Sequence, residues 1–214
     1  MKNKYFIYLF GILLSETLLF SSEVFAYNRN AAASYADTWA FSNNSNYPTF
    51  SADCTNFASQ ALAAGGYPQI NYDNNSSATY NWYAYKNWWQ WWWNLSNSWS
   101  VAADQYRFQM DRYPGGWLMD VVRASDARYW YAYDNANMWQ GDELFYNWHN
   151  DTNPANISHM GFQTYGGPSA YNGVTGDRQD QHSNFRRNAR WNLTDVNNDP
   201  YSTVIFEVRI DNAN

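Results

Sequence analysis

The chain reads as an α+β domain, with N-terminal helices packed on one face of a C-terminal, mostly antiparallel sheet. Three observations predict this. Up to residue 112, apolar residues recur at spacings of three and four. Beyond residue 141, alternating and β-branched runs stand between Gly, Pro and Asn. No internal repeat or long linker divides the chain, so a single domain over residues 27–214 is expected.

Residues 1–26 have the form of a secretory signal peptide. Lys2 and Lys4 precede an apolar stretch, and Val24-Phe25-Ala26 places small residues for cleavage before Tyr27. Ser15, Glu16 and Thr17 interrupt the apolar run, so a membrane anchor is the weaker reading. The expected location is therefore extracellular, with no membrane partner after cleavage.

Asn30 is placed to cap a helix over 31–41, where Ala32, Tyr35, Ala36 and Trp39 form one stripe. A loop of Asn, Tyr and Pro leads to a second helix starting at Cys54. Cys54, Phe57, Ala58, Ala61 and Leu62 share its face, Ser51 or Asp53 is its cap, and Gly65-Gly66 stops it. Residues 67–77 are polar, and 79–99 are dense in aromatics. Ser100 is the expected cap of a helix over 101–112, broken by Pro114-Gly115-Gly116. The runs 117–123 and 128–133 fit either helix or strand. Strands are expected over 142–148, 158–165, 178–185 and 203–210.

The formal net charge is −6, and removal of residues 1–26, which carry Lys2, Lys4, Glu16 and Glu23, leaves it at −6. Phosphate binding needs clustered cations, and Arg186, Arg187 and Arg190 form only a small group, so no nucleic-acid partner is expected. Aromatics reach 21 %, with 13 Trp, a composition suited to sugars, glycopeptides or a cell wall. Trp88–Trp93 places five Trp in six positions, and these cannot all point inward from one element. The tract reads either as core or as a wall-facing platform.

Cys54 is the only cysteine, so it forms no disulfide within the chain. At a helix N-terminus, dipole and free amides favour the thiolate. A nucleophile of this kind needs a base, and the base an orienting partner. His159 opens a predicted strand and is the expected base. His182, in the next predicted strand, is the expected orienting residue, with Asn184 and Asp177 as competitors. His149 lies in an Asn/Asp loop and reads as exposed.

Asp53-Cys54-Thr55-Asn56-Phe57-Ala58-Ser59-Gln60, followed by Gly65-Gly66, resembles the nucleophile helix of secreted bacterial amidase domains. These belong with the papain-like cysteine hydrolases, near the NlpC-type and CHAP peptidoglycan hydrolases. Tyr27 to Ala32, Asn81-Trp82-Tyr83, Gly141-Asp142, Ser158-His159-Met160-Gly161 and Gln181-His182-Ser183 resemble further parts of the domain, in the same order.

The resemblance implies a papain-like fold and hydrolysis of an amide bond, in peptidoglycan or a related glycopeptide. It implies Cys54 as nucleophile, His159 as general base and acid, and His182 as third member, with no cofactor. The Cys54 backbone N–H, together with a nearby Gln or Asn side chain, is the expected oxyanion donor. Asp53, Trp82, Trp91, Trp92, Trp93 and Asn184 are the expected substrate contacts. No Cys/His set matches a zinc site, and the acidic runs near 151 and 195–199 are incomplete as calcium loops, so no metal is expected. Two rivals remain: a non-catalytic Trp-rich wall- or glycan-binding module, and a protein-directed toxin with the same triad.

Overall fold

A computed structural model describes residues 26–112, 115–129, 136–167, 170–171 and 174–211. All of the expected signal segment except Ala26, and residues 130–133 of the ambiguous run, lie outside them.

Helix α1 spans Arg29–Trp39 and buries Ala32, Ala33 and Ala36. Asn28, not Asn30, is its cap: the Asn28 side chain accepts the Ala31 N–H at 3.0 Å. That satisfies one of the amides a helix start leaves open. Helix α2, Cys54–Ala64, ends as expected at Gly65, and Gly66 has φ 82°, a left-handed conformation that glycine adopts without a Cβ penalty.

Strands β1 (Ala84–Tyr85) and β2 (Asn94–Leu95) pair antiparallel, and the tryptophan tract forms their connection. Helix α3 (Asn97–Ser100) precedes α4 (Ala102–Asp111). Val101 between them is extended, at φ −121° and ψ 121°, so it rather than Ser100 stands at the α4 cap.

Strands β3 (Gly116–Arg123), β4 (Glu143–Asn147), β5 (Ile157–Tyr165), β8 (Arg178–Gln181), β9 (Arg186–Arg190) and β10 (Val204–Ile210) form one antiparallel sheet. Its order is β3-β10-β4-β5-β8-β9. A short pair, β6 (Ala170–Tyr171) and β7 (Val174–Thr175), lies between β5 and β8 in sequence. The 117–123 run is thus an edge strand. The strand expected over 178–185 ends at Gln181, and residues 182–185 turn into β9, which the apolar pattern did not announce.

Alternation along the strands gives the sheet two apolar faces. Phe145, Met160, Phe162, Phe206 and Val208 pack into the core with Phe57, Ala58, Trp82, Trp99 and Phe108 from the first half of the chain. Leu144, Tyr146 and Ile205 join a second cluster with Met138, Trp191 and Leu193. The α+β expectation holds, with α1, α2 and α4 packed against the central strand β5. This brings the start of α2 to the start of β5.

Candidate active site

Six residues of the Asp53–Gln60 segment, Asp53 and Asn56 to Gln60, have an identifiable part in seating α2. Asp53 Oδ1 accepts the Phe50 N–H at 3.0 Å and the Asn56 side-chain N–H at 2.8 Å. Asn56 Oδ1 accepts the Trp99 indole N–H at 2.9 Å. Phe57 is fully buried in the main core, beside Ala58. Ser59 Oγ accepts the Trp82 indole N–H at 3.0 Å, and Gln60 accepts the Tyr35 hydroxyl at 2.6 Å. These bonds offset the cost of burying polar groups on a core helix, and they fix the position of Cys54.

Cys54 is the first residue of α2 and only 5 % exposed. Its thiol meets the ring of His159, which stands near the start of β5 opposite Tyr146 of β4. Burial pushes the thiol up. The hydrogen bond and charge of His159, the Met160 amide and the Thr55 hydroxyl outweigh that and draw it down to about 7. Burial pulls His159 down, but its bonds to Cys54 and Gln181 leave it raised. The two shifts favour the same charge-separated form, thiolate beside imidazolium. The His159 ring also packs against Trp148, with centroids 5.8 Å apart, and Tyr146, at 5.6 Å.

Gln181, at the end of β8, also bonds the His159 ring and helps to raise it. Gln181 Oε1 in turn accepts the Gln179 Nε2–H at 2.9 Å. Gln179 and Gln181 lie on the same side of β8, two residues apart. The Gln179 amide occupies space left by Gly161, where a Cβ would lie 2.2 Å from its Oε1. A line of contacts therefore runs from Gly161 through Gln179, Gln181 and His159 to Cys54.

His182 does not hold His159, contrary to expectation. Both of its ring nitrogens are engaged elsewhere: Nδ1 lies 2.7 Å from Asp53 Oδ2, and Nε2–H donates to the Trp39 carbonyl at 2.9 Å. Its ring stacks on Phe57 at 4.1 Å. The displacement follows from the chain turning after Gln181, which carries His182 behind α2. Asp177 is also unavailable, since it is buried and accepts the Gly167 N–H at 2.6 Å.

Asp53 is buried among its three partners and does not face a substrate. Trp82 is fully buried and serves to seat α2, so it is not a substrate contact either. Trp93 is half-buried, stacked on Tyr47 at 5.8 Å. Trp88, Trp89, Trp91 and Trp92 are exposed on the β1–β2 connection, Trp88 by 92 %. The tract is thus packed at Trp93 and exposed at the other four positions. His149 is exposed, as expected.

A cleft of about 590 Å³ opens over Cys54 and His159. Gln181, Ser183, Asn184 and Trp148 line it, with one wall from the 193–199 segment. Asn184 therefore lies at the cleft. The tryptophans of the tract do not line it. The Cys54 backbone N–H, the expected oxyanion donor, already donates to Ser183 Oγ at 3.2 Å. Sequence reasoning missed Gln181, Ser183 and Trp148. Gln181 and Ser183 flank His182 in one of the segments that resemble the family, and Trp148 adjoins His149, but nothing in the residues themselves assigned them a part in the site.

A family model described as "Putative amidase domain" matches residues 26–204. The chain belongs to this amidase family. Membership points to hydrolysis of an amide bond. The amidase domain is also similar to "Uncharacterized protein YhbB" of Bacillus subtilis (strain 168), at 36 % identity over 78 residues. That match covers 36 % of this chain and 21 % of the relative. No solved structure matches the amidase domain. Among the described residues, no group of three or more His, Cys, Asp or Glu is placed to hold a metal ion, and no helix is long and apolar enough to cross a membrane.

Proposed function

We propose that the chain is a secreted, papain-like cysteine amidase that cuts an amide bond in peptidoglycan. The observation that carries this reading is the Cys54 thiol, at the N-terminus of α2, drawn down to about 7 against the His159 ring. Cys54 attacks the amide carbonyl, forming a thioester and releasing the amine. His159 gives the amine its proton, then takes one from the water that opens the thioester. Gln181 takes the orienting part first expected of His182, holding the His159 ring toward the thiol. It is neutral, so the ring charge is balanced by the thiolate alone.

The substrate and compartment follow from the signal-like residues 1–26, from the acidic, aromatic-rich composition and from the family resemblance. The exposed Trp88, Trp89, Trp91 and Trp92 supply a wall-facing platform apart from the cleft. Indole faces suit sugar rings, which present C–H surfaces of matching shape. Replacing these four residues is expected to lower wall retention while sparing turnover of a small soluble peptide.

Peptidoglycan digestion, followed by the release of amino groups, tests the central reading. Cys54→Ala should abolish release while leaving thermal stability near that of the parent. Alkylation of Cys54 should rise with a midpoint near pH 7, since the thiolate forms above that value. In His159→Ala the midpoint should move upward toward an ordinary thiol. Undiminished release by Cys54→Ala would refute the proposal.

A further inference from the structure

We propose that Ser183 is a catalytic residue whose hydroxyl donates a hydrogen bond to the oxyanion formed when Cys54 attacks an amide. The inference rests on the reading of Cys54 as nucleophile. Ser183 Oγ accepts the backbone N–H of Asp53 at 2.9 Å and that of Cys54 at 3.2 Å. A hydroxyl offers two acceptor positions and one proton. With both acceptor positions filled, the group has only its O–H left to give. Ser183 is exposed and lines the cleft with Cys54 and His159, so the remaining partner is whatever occupies the cleft.

The two amides also improve the donor. Hydrogen bonds accepted by an oxygen polarise its own O–H, so the helix start acts on the substrate through the serine. Position is fixed from both sides. The amides hold Oγ, and the backbone holds Cβ at φ 74°, a conformation few side chains adopt.

The step balances without a proton leaving Ser183. The Cys54 Sγ–C bond forms, and the carbonyl π pair moves onto oxygen, which accepts the Ser183 O–H. On collapse the C=O bond re-forms, the C–N bond breaks, and the amine leaves with the proton carried by His159.

Ser183→Gly tests this, because glycine adopts φ 74° without strain and the turn is kept. Turnover of the amide substrate should fall roughly 10²–10³-fold in kcat, the usual effect of losing one oxyanion donor, with KM little changed. Alkylation of Cys54 by iodoacetamide occurs at a saturated carbon and generates no carbonyl oxyanion. Its rate and pH midpoint should stay at parent values. Ser183→Asn, which also tolerates a left-handed backbone and supplies a side-chain N–H, should recover part of the loss.

An unchanged or raised kcat in Ser183→Gly would overturn the proposal, the latter showing that the hydroxyl merely blocks the two amides. A parallel fall in alkylation would also overturn it, by showing that Ser183 only supports the helix. Hydrolysis retained by Cys54→Ala would overturn the nucleophile reading and this proposal with it. Loss in Cys54→Ala with indifference in Ser183→Gly would overturn this proposal alone.

Discussion

Adding one methyl group at Gly161 is expected to disable the site without touching it. Cβ of Gly161→Ala would lie 2.2 Å from Gln179 Oε1, 2.8 Å from its Cδ and 3.3 Å from the Tyr146 hydroxyl. To regain ordinary contact the amide must retreat by roughly 1 Å. Gln179 is fully buried, so its neighbours resist the movement, and the strain costs about 1–3 kcal/mol of stability. The same movement pulls on the 2.9 Å bond from Gln179 to Gln181, which holds His159. A displacement near 1 Å at a catalytic group lowers turnover on the order of 10²-fold.

A double-mutant cycle isolates the route. Gln179→Ala removes the group that the new methyl strikes. If the effect runs through Gln179, then Gly161→Ala added to Gln179→Ala should cost nothing more in kcat. Turnover of an amide substrate and thermal melting would be measured on all four proteins. Independent, additive losses would refute the relay from Gly161 to His159. So would a Gly161→Ala enzyme with parent kcat.

Glu207, buried on β10 with no hydrogen-bond partner for either oxygen among the described residues, is raised to about 9 by burial and then by Asp120 and Asp177. Its protonated form belongs to the fold, so the stability it allows is complete below its unfolded pKa near 4.5 and declines as pH rises toward about 9. One proton over that interval makes the protein about 3 kcal/mol less stable at pH 7 than at pH 4. Glu207→Gln should remove this slope in urea melts at several pH values, and an unchanged slope would count against a buried neutral acid. Glu143, raised to about 8 chiefly by burial, should keep its own contribution in that variant. His182→Phe preserves a ring against Phe57 but takes from the buried Asp53 carboxylate one of its three partners. We expect a loss of about 1–3 kcal/mol by chemical denaturation, and an unchanged stability would show that the contact contributes little.

The amino-acid pattern identified the helix at Cys54 and the strand at His159, because both signals are local. A lone thiol behind a turn and a periodic apolar face need no knowledge of the rest of the fold. Gln181, not His182, acts on the His159 ring, for a geometric reason. Their roles depend on where β8 ends, and polar residues at 182–185 fit a strand or a turn equally well. Strand β9 was missed because Arg186, Arg187 and Arg190 are charged, as suits a sheet edge that must not pair further. Trp82 looked like a contact residue because its surrender of an indole N–H to Ser59 is a matter of tertiary distance. Ser183 lay within a recognisable motif, but its part in the site did not: that rests on two amides from a segment about 130 positions away.

The placement of β8 and β9 has a kinetic consequence. They form the outer margin of the sheet, and the turn between them carries Ser183, with Gln181 just before it. Margins of sheets open at lower free energy than centres, while α2 and β5 are buried at the centre of the fold. A fluctuation that lifts only this hairpin would leave the thiol and imidazole intact but strip the imidazole of its support and the helix amides of their hydroxyl. The protein would remain folded by most measures and be silent as a catalyst, so amide-hydrogen exchange across 178–190 is the property most closely tied to its working temperature.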